Sequence, residues 1–144
     1  MKLYIGLSWA AIICLFLSGA LHSISLFVEP AASNDIEKQL IQTMDTYQMD
    51  MGAGYHRTFA QIFFSLSACF SLLCLFASVL LWYLLKHPIS KNIMMGILNI
   101  YLIFFGVLAI LMWVFTFLPP IICTSLSFLF LLGTRWSLGK MGQE

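Results

Sequence analysis

Three stretches of the chain carry no charged residue, at 3–28, 59–85 and 92–134, and each is dense in Leu, Ile, Phe and Val. A helix needs roughly 20 apolar residues to cross the hydrocarbon core of a bilayer. The first two stretches supply one crossing each. The third is long enough for two, with Pro119-Pro120 marking the hairpin between them. The pattern predicts an all-α integral membrane fold: four transmembrane helices at about 3–28, 59–85, 92–117 and 119–136, arranged as an up-down four-helix bundle.

The pattern changes between the first two spans, where residues 29–58 form the one long loop. Pro30-Ala31-Ala32-Ser33 ends the first helix, and Asn34 followed by Glu37 is the signature of a capping box that starts another. Ile36, Leu40, Ile41, Met44 and Tyr47 recur at helical spacing, while Asp35, Lys38, Gln39, Gln42 and Asp45 take the other face. A short amphipathic helix at about 35–49 is expected. Its polar face lacks the Lys and Arg enrichment of a helix held by anionic lipid. It is therefore expected to pack on the bundle as a lid over its outer mouth, with Gly52-Ala53-Gly54 as a flexible return.

Composition narrows the class further. The 144 residues are 61% hydrophobic and 9% charged, whereas soluble domains carry about 25% charged residues. One membrane domain over 1–144 is expected, with no independent core outside the bilayer, and no basic cluster points to nucleic acid. Loops rich in Lys and Arg stay on the cytoplasmic side. Lys2, Lys86, Lys91, Arg135 and Lys140 share one side of a four-span chain, opposite Glu29, Asp35, Glu37, Asp45 and Asp50. Both termini are thereby placed in the cytoplasm. A cleaved signal ending at Ser18-Gly19-Ala20 is the competing reading of the first run, but the apolar stretch continues to Val28, well past the usual ~7–15 residues.

In lipid, helices associate through small residues and interhelical hydrogen bonds. Ala60, Ser67, Ser71, Cys74 and Ser78 form such a stripe on the second span, which is expected to be the central helix. Gly96, Asn99, Gly106 and Ala109 form one on the third, Ala11, Ser18, Gly19 and His22 on the first, and Thr124 with Ser127 on the fourth. Ser78 and Asn99 fall at similar depth on antiparallel neighbours, so a hydrogen bond between them is expected. Cys14, Cys69, Cys74 and Cys123 lie within spans without a C-x-x-C pair and read as small buried apolar residues.

Ionisable groups inside a span are costly enough to need a reason, and His22 is the one candidate. It is expected to meet Gln61 and the His56-Arg57 pair at the start of the second span, and with Glu29, Asp50 and Met44 to define a polar ligand pocket under the lid. Haem between His22 and His56 would need facing imidazoles at one depth, which the placement of His56 beside Arg57 disfavours. Met44, Met49 and Met51 near two histidines fit Cu(I) chemistry, yet methionine also serves as filler at Met94 and Met95, so no metal or other cofactor is assigned. A proton-coupled exporter normally needs a carboxylate within the bilayer, and no span has one. Nucleophile elbows, P-loops and H-E-x-x-H are absent from the sequence.

Gly19-Ala20-Leu21-His22, then Pro30, Met44, the glycine-containing return to Arg57 and a second span rich in Phe and Ser resemble a family of small four-helix bacterial membrane proteins of unassigned activity, named after a spirochaete locus tag. The chain is also loosely similar to the wider DoxX-like set. The resemblance covers the first half and implies a bacterial inner membrane and a four-helix fold. Taken together, the sequence favours a binding or accessory component over an enzyme. A redox-linked subunit or small transporter using the His22 pocket is the alternative. The expected partners are membrane lipid and either a second copy of the chain or another membrane protein.

Orientation is directly testable. Reporters active only outside the cytoplasm should function when fused after Tyr47 and stay silent after Lys91 and Lys140; activity after Lys91 overturns the four-span arrangement.

Overall fold

A computed structural model describes residues 2–28 and 31–141. Four helices are long and apolar enough to cross a membrane: α1 (Lys2–Ser25), α3 (Phe59–Lys86), α4 (Lys91–Phe115) and α5 (Leu118–Lys140). The fold is all-α, with a shorter helix α2 (Asp35–Thr46) in the first loop. Two short strands, β1 (Gln48–Asp50) and β2 (His56–Thr58), form an antiparallel ribbon pairing Gln48 with Thr58 and Asp50 with His56.

Helix ends follow local chemistry. Asn34 caps α2 by accepting from the Glu37 amide at 2.9 Å, and the Glu37 carboxylate reaches back to the Ser33 amide. Ser90 caps α4 through the Ile93 amide. Pro119 and Pro120 sit inside the first turn of α5, where a missing N–H costs nothing. The hairpin between the last two spans is thus Thr116-Phe117, just before the proline pair.

α1 and α5, rather than the serine-rich α3, are the helices with two close neighbours: α1 packs along α3 and α5, and α5 along α1 and α4. The buried face of α1, Ser8, Ala11, Ile12, Leu15, Ser18 and Gly19, is small enough to admit two neighbours closely. Gly19 marks the tightest approach to α3. A Cβ there would lie 2.8 Å from Leu75 Cγ and 3.0 Å from the Ser71 carbonyl oxygen. Lower in the same contact the Ser78 hydroxyl donates to the Ile12 carbonyl at 2.9 Å. Towards α5, a Cβ on Gly133 would meet Leu7 at 3.3 Å.

The expected Ser78 to Asn99 hydrogen bond is therefore not formed. Ser78 faces α1, while Asn99 faces α5 and accepts from Arg135 Nε at 2.8 Å. Backbone separation explains this, because α3 and α4 stay apart and are bridged by long side chains. The buried face of α4 is Met94, Leu98, Tyr101, Phe105 and Ala109, and Tyr101 spans the gap to donate to the Ala77 carbonyl at 2.8 Å. The small-residue face expected on this helix is split. Gly106 meets Phe128 of α5, whereas Gly96 is exposed, and a Cβ there would have nothing within 4 Å.

Most buried hydroxyls do not cross between helices. Ser8, Ser18, Thr124, Ser127 and Thr134 each donate to the carbonyl four residues back on their own helix, and of these Ser127 also reaches across to Cys14 Sγ of α1 at 3.3 Å. They act mainly as small volumes whose polarity is already satisfied. The Ser71 hydroxyl is the exception among the described residues: it is buried with no partner. Of the cysteines, Cys74 is buried, Cys14 and Cys123 are half-buried, and Cys69 points outward, contrary to the uniform burial expected.

These contacts order three variants. Gly19→Ala should lose on the order of 1–3 kcal/mol through overpacking against α3, more than the roughly 1 kcal/mol gained in helix propensity. Gly96→Ala has the propensity gain alone, and Ser71→Ala removes an unsatisfied buried hydroxyl. In thermal melts in detergent, Gly19→Ala should fall below wild type while the other two match or exceed it; the opposite ranking would mean that α1 and α3 do not cross at Gly19.

Candidate functional site

α1 ends at Ser25, one turn earlier than the apolar run suggests, and Leu26, Phe27 and Val28 continue in tight turns with i to i−3 hydrogen bonds. His22 consequently lies in the last turn of α1 and is half-buried, not deep within the span. Ser25 helps to close that end by donating to the His22 carbonyl at 2.7 Å. The imidazole meets Phe70 in a T-shaped contact, with centroids 4.9 Å apart and planes at 81°. Among the described residues no hydrogen bond reaches its ring nitrogens.

His22 borders a cavity of about 160 Å³ between α1, α3 and α5. The walls are Ser18, Leu21 and Ser25 from α1, Phe70 from α3, Phe117 from the hairpin, and Pro119, Pro120 and Cys123 from α5. Ser18 and Ser25 already spend their hydroxyl protons on backbone carbonyls. The imidazole is thus the main group left to orient a guest. The volume matters too, since an apolar cavity of about 150 Å³ accepts a benzene-sized molecule.

The structure keeps the other sequence-derived candidates apart from His22. Gln61 is exposed and completes a capping box: the Gln61 amide donates to Thr58 Oγ1 at 3.3 Å, and Gln61 Oε1 accepts from the Thr58 amide at 3.2 Å. Phe70, which faces His22, lies nine residues further along α3, about 13 Å deeper at the helical rise. The reason is the length of α3. Its 28 residues make a helix about 42 Å long, against roughly 30 Å of hydrocarbon, so its first turns extend beyond α1.

His56 and Arg57 belong to β2 and are exposed. Arg57 Nη1 donates to the His56 carbonyl at 2.7 Å, and its guanidinium carbon sits 5.8 Å from the Tyr55 ring. Met44 is half-buried on α2, and Asp50 accepts from the Gly52 amide at 2.8 Å within the ribbon turn. Glu29 and Pro30 lie outside the described residues. None of the residues lining the His22 cavity comes from α2 or the ribbon.

The lid is corrected on the same grounds. α2 has no buried residue; it rests on α3 and on β2, with Ile36 79% exposed. It ends at Thr46, because Gln48, Met49 and Asp50 pair as a strand. Gly52, Ala53 and Gly54 are a defined turn in which all three φ angles are positive, 82°, 51° and 80°. Glycine tolerates that conformation at no steric cost.

Comparison with family models, with curated proteins and with solved structures gives no match. Phe70, Phe117 and Cys123 are wall residues that sequence reasoning missed. The Thr58-x-x-Gln61 capping box marks where α3 starts but not how deep that start lies against α1, so the sequence carried no signal for the turn level with His22.

The capping role of Gln61 has a measurable consequence. Thr58→Ala should cost about 0.5–2 kcal/mol, as for other lost caps, and speed amide hydrogen exchange in the first turn of α3, with Gln61→Ala showing the same local effect. Unchanged exchange at Phe59 to Ile62 in both variants would mean that the box is not formed.

Proposed function

We propose that this protein is a binding component of a bacterial inner membrane, taking a small, largely apolar guest with one hydrogen-bonding group into the cavity beside His22. One observation carries the reading: an imidazole with no hydrogen-bond partner among the described residues borders a cavity of about 160 Å³ whose other walls are mainly Phe, Pro and Leu. A neutral imidazole offers one donor and one acceptor, so it can fix the orientation of a guest whose body fills the apolar space. The wall residues come from three helices, which gives the site a rigid frame.

The bacterial assignment rests on the resemblance of the first half of the chain. Its orientation rests on charge segregation. Lys86, Lys91 and Lys140 lie at the bundle end that carries the α3 to α4 connection, while Asp35, Glu37, Asp45 and Asp50 lie in the loop at the other end. By the tendency of Lys and Arg to remain inside, the His22 cavity opens on the extracytoplasmic half.

The test is mass spectrometry of small molecules retained by protein purified from its own membrane. His22→Gln keeps one hydrogen bond and the fold, yet misplaces the polar atom. Losing about 0.5–1.5 kcal/mol of hydrogen bonding corresponds to roughly two- to tenfold weaker retention. Pairing it with Phe70→Trp, which should crowd the cavity, should remove the guest while the melting temperature stays near that of wild type. Equal retention of the same molecules by wild type and both variants would place the guest elsewhere.

A further inference from the structure

At the bundle end opposite the His22 cavity, two cations converge on one glycine. Lys91 Nζ, at the start of α4, donates to the Gly139 carbonyl at 3.2 Å. Arg135, on the preceding turn of α5, places Nη1 3.4 Å from the point a Cβ on Gly139 would occupy. Its Nε is held by Asn99 Oδ1 at 2.8 Å. The acceptors here are neutral. The described carboxylates, Asp35, Glu37, Asp45 and Asp50, all lie in the loop at the other end of the bundle, and Glu144 is outside the described residues.

Lys91 has a local use, since it satisfies a carbonyl at the C-terminal end of α5, where a cation is favoured. That use leaves two of its N–H donors available, and the Asn99 bond leaves four of the five on Arg135. Like charges held together without a counter-charge repel unless an anion joins them. A guanidinium fork suits phosphate oxygens, and the ammonium adds a second charge. Beside them Trp136 is 60% exposed, with Lys140 Nζ 3.8 Å from its ring centre. Exposed Trp at a span end marks the headgroup level of a bilayer.

We propose that Arg135 and Lys91 form a binding site for the phosphate of an anionic phospholipid, seated between α4 and α5 at the end of the bundle that carries the C-terminus. The Asn99 bond holds the guanidinium at its neck so that its outer edge faces the headgroup. Acyl chains then lie on the outward apolar surface of the same two helices, where Ile103 and Leu129 are exposed. Asn99 thus acts as a positioning residue for Arg135.

The test compares thermal melting of full-length protein in neutral detergent as phosphatidylglycerol, phosphatidylcholine or inorganic phosphate is added. Phosphatidylglycerol should raise the melting temperature in a saturable way, at a concentration at least about tenfold below any effect of phosphatidylcholine, as expected for charge-assisted hydrogen bonds. Lys91→Gln and Arg135→Gln should each raise the half-effect concentration about tenfold. Should Arg135→Gln not fold, Arg135→Lys takes its place, because it keeps the charge, loses the fork, and is expected to weaken the lipid effect by a smaller factor. Glu144→Gln should leave the response unchanged. The proposal is overturned by equal responses to the two lipids, by inorganic phosphate reproducing the stabilisation, by a Lys91→Gln response equal to wild type, or by a markedly stronger response in Glu144→Gln, which would mean that the chain's own carboxylate occupies the site.

Discussion

The bundle depends on how closely other helices can approach α1. Lipid tails are as apolar as leucine, so burial from water gives little reason for spans to associate, and tight van der Waals contact must supply it. Gly19 lets the Ser71 backbone come within contact distance on one side, and Gly133 receives Leu7 on the other. One contact puts the glycine on α1 and the other puts it on α5, and together they fix the positions of α3 and α5 against α1. α4 is then set by α5, and the remaining gap to α3 is filled by Tyr101, Phe105 and Leu98.

The two ends of the bundle differ as a result of the unequal lengths of the helices. α3 projects past the last turn of α1, so α2 and the ribbon are carried on the N-terminal end of α3 instead of closing over the bundle. That leaves the notch between α1, α3 and the start of α5 bordered by His22 and unroofed by the loop. At the other end α4 and α5 are joined by polar contacts, Lys91 to Gly139 and Arg135 to Asn99. One end is shaped by missing contacts and the other by paired ones.

The sequence made the spans legible because charge is excluded from lipid at high cost, and this leaves runs that no local preference can disguise. Asn34 was legible as a cap for a similar reason, since a capping box is a local motif with its own spacing. Relative depth was not legible. His22 and Gln61 look adjacent when both spans are counted from their apolar boundaries, but Thr58 starts α3 well outside the level of α1. Partner choice was hidden as well: Ser78 and Asn99 have the right chemistry for each other, and only the backbone separation of α3 and α4 assigns them to Ile12 and Arg135. Gly96 failed because glycine in an exposed position and glycine at a crossing look the same in sequence.

The place of α1 between α3 and α5 also has a consequence for the order in which the protein is made. α1 leaves the ribosome before the other three spans, can dock on α3 once residues 59–86 have entered the membrane, and gains its second partner only when α5 arrives. Chains are built at about 5–20 residues per second, so the seam that will receive Gly133 waits for several seconds with only lipid against it. During that interval α4 is held to the bundle mainly through Tyr101 and its large neighbours. Closure of the four-helix bundle thereby waits for α5, and until then the side of α1 that will meet it lacks its helix partner.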